Sequence, residues 1–248
     1  MTAQFIPRED VTWQRTRMLE RPDESFEYEF LLPLPLANWD VFACWERERF
    51  HSMRDNLTQG EVLYDIGTEQ GWCNLIYASF VGPENMVLCE PTPEFWPNIY
   101  ATWVANYAKS PRACYDGLLS DTTTDTRRNI VGWPGNIDRP LIDRNRYQYI
   151  HDNTQRIPEI RLDDLVERTG VVPDAITIDV EGAELLVLQG ATRTLSSKRP
   201  KVWASLHHDL IERDYDATLA DVHTFMESFG YRGTHLATDH EQHWFFRP

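Results

Sequence analysis

The chain has no basic run longer than a pair, and its net charge is −15. A phosphate backbone would be repelled over most of such a surface, which excludes nucleic acid as a default partner. It also lacks a continuous apolar stretch of the roughly 18 residues that a membrane span needs. The nearest approach, FLLPLPLANW from Phe30, is broken by Pro33 and Pro35. The opening residues MTAQFIPREDVTWQRTR have no apolar centre of the signal-peptide kind, so the expectation is a cytoplasmic protein without a membrane span. Cysteine is sparse: Cys44, Cys73, Cys89 and Cys114 stand far apart and form no CxxC pair. That excludes a zinc knot or a disulfide scaffold and fits free, buried thiols. Internal repeats and low-complexity tracts are absent as well.

What is present is ordinary in bulk and specific in detail. The 248 residues, 42% of them hydrophobic and 25% charged, can bury one large core. Nine tryptophans favour a big aromatic core, with an aromatic-lined pocket as the alternative. From Glu61 onward the pattern alternates. EVLYDI reads as a buried strand and GWCNLIYASFV as a helix; NMVLCE is the next strand and PEFWPNIYATWVANY the next helix. RACYDGLLS is a third strand region and LDDLVERTG a short helix. DAITIDV is a strand, GAELLVLQGATRTLSS a helix, PKVWASLH a strand and DATLADVHTFMESFG a helix. YRGTHLA and EQHWFFRP form a closing antiparallel pair. Strands alternating with helices argue for right-handed crossovers and a mostly parallel sheet.

Two segments stand outside that alternation. Residues 1–57 read as an N-terminal helical extension packing on a main domain over 58–248. Within it, Trp39, Phe42, Trp45, Arg49 and Met53 recur at helical spacing, as expected of a helix over an edge or mouth of the domain. Residues 122–158 read as an insertion. Trp133, Tyr147, Tyr149 and His151 lie there among Arg127, Arg128, Arg139, Arg144 and Arg146. The two readings are a lid suited to a sugar or anionic acceptor and a surface hairpin packed for stability.

The most informative stretch is VLYDIGTEQGW, Val62 to Trp72. An acid, Asp65, ends an apolar strand, and Gly67 and Gly71 follow. Open parallel sheets bind ligands at the carboxyl ends of their strands. Gly67 would let backbone approach a ligand, and Gly71 would let the following helix pack near the strand. The third glycine of a dinucleotide fingerprint is missing, and a carboxylate next to the turn suits a cation better than a pyrophosphate. Glu90 closes the next strand; an acid at that place accepts two hydroxyls of a ribose diol. S-adenosylmethionine combines a ribose with an amine and a sulfonium, and so matches both acids.

LYDIGTEQG, VLCEPTPEFWPNIYATWVANY, LLSD, IRLDDL, AITIDVEGAELLVLQGA and RPKVWASLHHD occur in this order over about residues 60–210. In this the chain resembles the FkbM-type S-adenosylmethionine-dependent methyltransferases. The resemblance implies a Rossmann-like class I methyltransferase fold, with a seven-stranded, mostly parallel sheet whose last strand is antiparallel and helices on both faces. It implies methyl transfer to a hydroxyl of a sugar, glycolipid or natural product. Asp65, Gly67, Thr68, Glu69 and Gly71 match the cofactor loop, and Glu90 matches the ribose acid. Ser120 and Asp121 fall where the third strand would meet the adenine. Asp179 ends the fourth strand, and Glu181 follows in the DVEG turn. The chain departs from the pattern at Thr68 and Glu69, and at Ser205, where the family commonly has Glu; Asp209 is one residue that could supply that acid.

A sugar hydroxyl is a weak nucleophile at neutral pH, so a base within reach matters. Asp179, Glu181, His207 and His208 lie at the ends of adjacent strands and are the candidates. His207 comes first because an unperturbed imidazole pKa of about 6.5 suits the task; the alternative is that HHD merely ends a strand. A divalent metal on Asp179, Glu181, His207 and Asp209 is a minor alternative. Asp163 and Asp164 read as first-turn helix acids rather than metal ligands. The competing functions are methylation of a nitrogen on a small molecule or protein, and a cofactor-binding module without transferase activity. A nicotinamide-dependent oxidoreductase is disfavoured by the missing glycine.

Overall fold

The computed structural model describes residues 11–18, 28–33, 46–127, 132–142 and 157–248. Strands β1 (Trp13–Met18) and β2 (Tyr28–Pro33) form an antiparallel ribbon. Helix α1 spans Arg47–Asn56. The alternation then runs β3 (Leu63–Ile66), α2 (Cys73–Val81), β4 (Met86–Cys89), α3 (Trp96–Asn106), β5 (Ala113–Tyr115), β6 (Leu118–Leu119), β7 (Glu159–Ile160) and α4 (Leu162–Thr169). It continues with β8 (Ala175–Ile178), α5 (Glu184–Gln189), α6 (Thr192–Ser197), β9 (Lys201–Leu206), α7 (His208–Tyr215), α8 (Leu219–Ser228), β10 (Arg232–Thr238) and β11 (Gln242–Arg247).

The main sheet has seven strands in the order β10-β11-β9-β8-β3-β4-β5. β9, β8, β3, β4 and β5 are mutually parallel. β11 enters antiparallel between β9 and β10. All four residues of β3, β4 and β8 are buried, Asp65 and Thr177 among them, as in strands covered on both faces. One apolar layer joins Phe50, Leu75, Trp96, Trp103 and Trp203. The other joins Tyr64, Leu162, Val187, Leu195 and Val222 across the opposite face. Trp96, Trp103 and Trp203 have no exposed surface, so three of the nine tryptophans lie wholly in the core.

Register is what places the site. Ile66 pairs with Cys89 and with Ile178, and Ile178 pairs with Ala204. Gly67, Glu90 and Asp179 each follow one residue later, so they emerge side by side at the same sheet edge. Backbone bonds continue the pairing past the strands: Gly67 N donates to Cys89 O at 3.0 Å, and Asp179 N donates to Ile66 O at 2.9 Å.

Several local expectations change. The N-terminal segment expected to be helical includes the β1–β2 ribbon, and a helix is described at Arg47–Asn56, inside the expected 38–57. Trp39, Phe42 and Trp45 lie outside the described residues. GAELLVLQGATRTLSS is two helices. It breaks at Gly190, where a Cβ would stand 2.0 Å from the Ser120 carbonyl oxygen. Asp163 then caps the second piece, accepting from Arg193 N and Thr194 N, each at 2.8 Å. HHD opens a further helix, α7. Gly71 packs on a helix rather than the strand, its absent Cβ 2.8 Å from Ile99 Cα. In the insertion, Trp133 meets Trp96, Tyr100 and Trp103 edge-on, while Arg127 pairs with Asp116 and Asp125. Arg128, Arg144, Arg146, Tyr147, Tyr149 and His151 lie outside the described residues, as does Cys44. Cys73, Cys89 and Cys114 are free thiols. No helix among the described residues is long and apolar enough to cross a membrane.

Candidate cofactor and acceptor site

A cavity of about 810 Å³ opens at the carboxyl ends of β3, β4, β8 and β9. Asp65, Gly67, Thr68, Glu69, Glu90, Thr92 and Phe95 line one side, with Gly117, Leu118 and Leu119 beyond them. Asp179, Glu181, His207 and Tyr215 line the other, and Glu46 and Arg49 from the start of α1 and His240 and Glu241 from the β10–β11 turn complete the lining.

The turn after β3 is built around its glycine. Gly67 has φ +91, and a Cβ there would lie 1.7 Å from the Asp179 carbonyl oxygen, so only glycine lets the loop pass the end of β8. Thr68 Oγ1 donates to the Asp65 carbonyl at 3.2 Å. Glu69 takes a left-handed backbone with φ 54 and donates its N–H to Glu90 Oε2 at 2.9 Å. Glu90 Oε1 accepts from Thr92 N at 2.7 Å. Both Glu90 oxygens keep a lone pair for further donors. Burial pushes Glu90 up to about 8, against these backbone donors. Burial likewise pushes Asp65 up to about 7, against Arg49 and Thr68. Asp65 Oδ2 is buried with no hydrogen-bond partner among the described residues. A buried carboxylate oxygen left unsatisfied costs free energy, and an amine or hydroxyl donor entering the cavity would recover it.

On the other side, His207 is held between carboxylates. Its Nδ1 meets Glu184 Oε1 at 2.8 Å. Its Nε2 faces Asp179 Oδ1 at 3.7 Å and Glu181 Oε2 at 3.6 Å. Burial works against its charge, but the Glu184 hydrogen bond and the charges of Asp179, Glu184 and Glu181 outweigh it, so the pKa rises to about 10. The unperturbed value expected from sequence therefore does not hold in the folded protein. Burial disfavours the Asp179 carboxylate too, yet Arg49 and His207 keep it below the usual range.

The structure brings together Asp65, Gly67, Thr68, Glu69, Glu90, Asp179, Glu181 and His207 in one cavity. It leaves four other sequence candidates outside its lining. Gly71 sits against α3. Ser120 donates its N–H to Ile160 O at 3.0 Å, and Asp121 is exposed, accepting from Thr122 Oγ1 at 3.0 Å. The third strand ends at Tyr115, so Gly117, Leu118 and Leu119 take the place at the cavity that Ser120 and Asp121 were expected to fill. His208 faces Asp209 at 3.1 Å at the start of α7. The four-residue metal set also separates, because Asp209 has a side chain 88% exposed. The carboxylates that do converge are Glu46, Asp179 and Glu241, with one oxygen from each within 4.8 Å of the others.

Sequence reasoning missed Glu46, Arg49, Glu184 and Glu241. For Arg49 a signal existed: a cation on an apolar helical stripe, four residues before Met53. Glu184 and Glu241 carried none, since an acid in a helix or hairpin turn ordinarily faces solvent.

Strand order, the glycine turn after the first parallel strand and the two acids at successive strand tips define a class I S-adenosylmethionine-dependent methyltransferase fold. Within that class, residues 65–232 match the methyltransferase FkbM domain, and the chain belongs to that family. Among solved structures it is similar to the methyltransferase FkbM from Methylobacillus flagellatus KT, at 17% identity and a TM-score of 0.53. That alignment covers 84% of this chain and 51% of the other, so this chain spans about half the length of that protein. A fainter likeness, at 11% identity and a TM-score of 0.42, is to Aeropyrum pernix fibrillarin, solved with S-adenosyl-L-methionine bound. It covers 77% of this chain and 67% of that one. No curated protein sequence matches the chain.

Proposed function

We propose that the protein is an S-adenosylmethionine-dependent O-methyltransferase acting on a hydroxyl of a neutral, sugar-like molecule. The observation that carries the reading is the division of one cavity. Asp65 and Glu90 stand at one side as acceptors for amine and ribose hydroxyls, and the Glu184–His207 pair stands at the other, beside Asp179. A volume of about 810 Å³ falls within the range of ligand sites.

When bound, S-adenosylmethionine supplies an electrophilic methyl carbon on a sulfonium. Glu90 would accept from the ribose hydroxyls, Asp65 Oδ2 from the amine, and Phe95, Leu118 and Leu119 would face the base. The residues across the cavity handle the acceptor. Glu184 holds the Nδ1 proton of His207, which leaves Nε2 as the atom that faces the cavity. His207 takes the hydroxyl proton at Nε2 as the oxygen forms its bond to carbon. Its raised pKa makes it a strong base once neutral, and beside a bound cation it gives up its own charge more readily. A positioned base of this kind contributes about 10²–10⁴-fold. The acceptor side carries Glu46, Asp179, Glu181 and Glu241 beside Arg49, His207 and His240; with burial pushing Glu46 up to about 8 and Glu241 up to about 7, its charges nearly balance, which suits a neutral acceptor.

The test is incubation with methyl-labelled S-adenosylmethionine and a panel of sugars, glycolipids, hydroxylated natural products and amines. Label in an alkali-stable ether supports the reading. Label on nitrogen favours the amine alternative, and cofactor binding without transfer across the panel favours a binding module.

A further inference from the structure

Arg49 is the most deeply buried cation of the site, with 2% of its surface exposed. It comes from α1, outside the family-matched residues. Nη1 donates to Asp179 Oδ2 at 3.0 Å and lies 3.1 Å from Glu46 Oε2. Nη1 also donates to Ser205 Oγ, and Nη2 to Tyr77 OH. Ser205 is bonded in turn to His243 Nδ1 at 3.0 Å. The same guanidinium thus reaches α2, β8 and β9.

Glu46 and Asp179, which face Arg49, and Glu241, which pairs with His240 and lies 3.6 Å from His243 Nε2, have the spacing of a cation site. Glu46, Asp179 and Glu241 each place an oxygen within 4.8 Å of the others, and three hard oxygens at such distances are what a divalent ion takes. Ionised together without a cation among them they would repel one another, and burial together with the neighbouring acids pushes Glu46 up to about 8 and Glu241 up to about 7. Burying a guanidinium is itself costly and is tolerated only with several charged partners. Packing alone would be met by a Leu or Met on this stripe beside Phe50 and Met53. Burial opposes the Arg49 charge, but Glu46, Tyr77 and Asp179 hold the proton in place, well above the ordinary range. The cluster therefore keeps a cation that neither pH nor a chelator removes.

We propose that Arg49 is the resident cation of the Glu46–Asp179–Glu241 cluster, standing where a divalent ion would otherwise bind, and that it positions Asp179 beside His207 so that catalysis needs no metal. This rests on the methyltransferase reading of the same site. Arg49 acts through Asp179 and is a positioning residue.

Three measurements on the full chain test it. Manganese alone is titrated into wild type and Arg49→Met and followed by the free-ion electron paramagnetic resonance signal. Wild type is expected to bind no Mn²⁺ in the cluster, and Arg49→Met to take up one ion that Asp179→Asn in the same background removes. Activity on an acceptor from the panel is expected to resist EDTA in wild type. In Arg49→Met kcat should fall about 100-fold, the scale of a small misplacement, with KM for S-adenosylmethionine little changed and partial recovery in Arg49→Lys. Calorimetry with S-adenosylhomocysteine separates the two readings: no binding to wild type sinks the methyltransferase assignment, whereas normal binding with the wrong metal pattern sinks only this one. Stoichiometric Mn²⁺ on wild type, lost in Asp179→Asn, would overturn the proposal, as would an Arg49→Met enzyme of undiminished kcat. If Arg49→Met does not fold, wild type and Arg49→Lys decide: Mn²⁺ on wild type or an unchanged kcat in Arg49→Lys overturns it.

Discussion

Exchange of Glu184 for Gln removes one charge and leaves the shape almost unaltered. Glu184 has no exposed surface, and its Oε1 receives His207 Nδ1 at 2.8 Å and Gly182 N at 3.0 Å. A hydrogen bond to an ionised partner contributes about 1.5–3 kcal/mol, which at about 1.36 kcal/mol per pKa unit amounts to roughly 1–2 units. His207, now at about 10, is expected to titrate about 1–2 units lower in Glu184→Gln. Because its folded pKa lies above its unfolded one, His207 contributes stability that is complete below about pH 6.5. That contribution is lost as the pH rises through about 10. Glu184→Gln should therefore destabilise by about 1.5–3 kcal/mol near pH 6, with the difference closing above pH 10. Urea unfolding from pH 6 to 11, together with imidazole proton resonances, measures both. If the proposed chemistry holds, the acid limb of the rate profile moves down with the histidine. An unshifted His207 titration, or a stability loss that does not depend on pH, would refute the reasoning.

Two further outcomes follow from the turn and the paired acids. Gly67→Ala would place a Cβ 1.7 Å from a backbone oxygen, at φ +91. It should cost about 3 kcal/mol or more in urea unfolding; a loss under about 1 kcal/mol would show that the β8 end yields easily. Burial holds Asp65 at about 7 and Glu90 at about 8, so both carry part of a proton at pH 7. Amine and hydroxyl donors favour the ionised forms, and S-adenosylhomocysteine is expected to release protons on binding at pH 7 and almost none at pH 9. Calorimetry in buffers of different ionisation enthalpy reads this directly, and heats independent of buffer at pH 7 would contradict it.

The parallel core was legible because its strands state their burial openly. LYDI, MVLC and AITI are mostly apolar, with Asp65 and Thr177 the exceptions, and each is followed within one residue by glycine or an acid where the sheet meets the cavity. The family matched at residues 65–232 agrees with the stretch that carried the resemblance. Elements set by tertiary contact were less legible. Gly190 looks like a tolerated residue inside a helix, and only the Ser120 carbonyl at 2.0 Å from its absent Cβ explains the break. Ser120 ends an apparent strand in RACYDGLLS and Asp121 follows it, but the chain turns at Gly117 and pairs β6 with β7 instead. The lining residues from α1 and the β10–β11 turn were hardest to read. Glu46 and Glu241 lie far apart in sequence, and nothing local marks either as buried. The residue type of His207 gave its position but not its proton affinity, which depends on three carboxylates from the turn after β8 and from α5.

The central claim is that Glu90 and Asp65 hold an adenosyl ligand in the cavity, and titration of S-adenosylhomocysteine into wild type and Glu90→Gln addresses it most directly. One molecule is expected to bind each wild-type chain. Glu90→Gln should bind about 10–150-fold more weakly, the loss of one hydrogen-bonded charge, in a chain that still melts cooperatively. Equal affinity in the two proteins, or no binding to the wild type, would contradict the account.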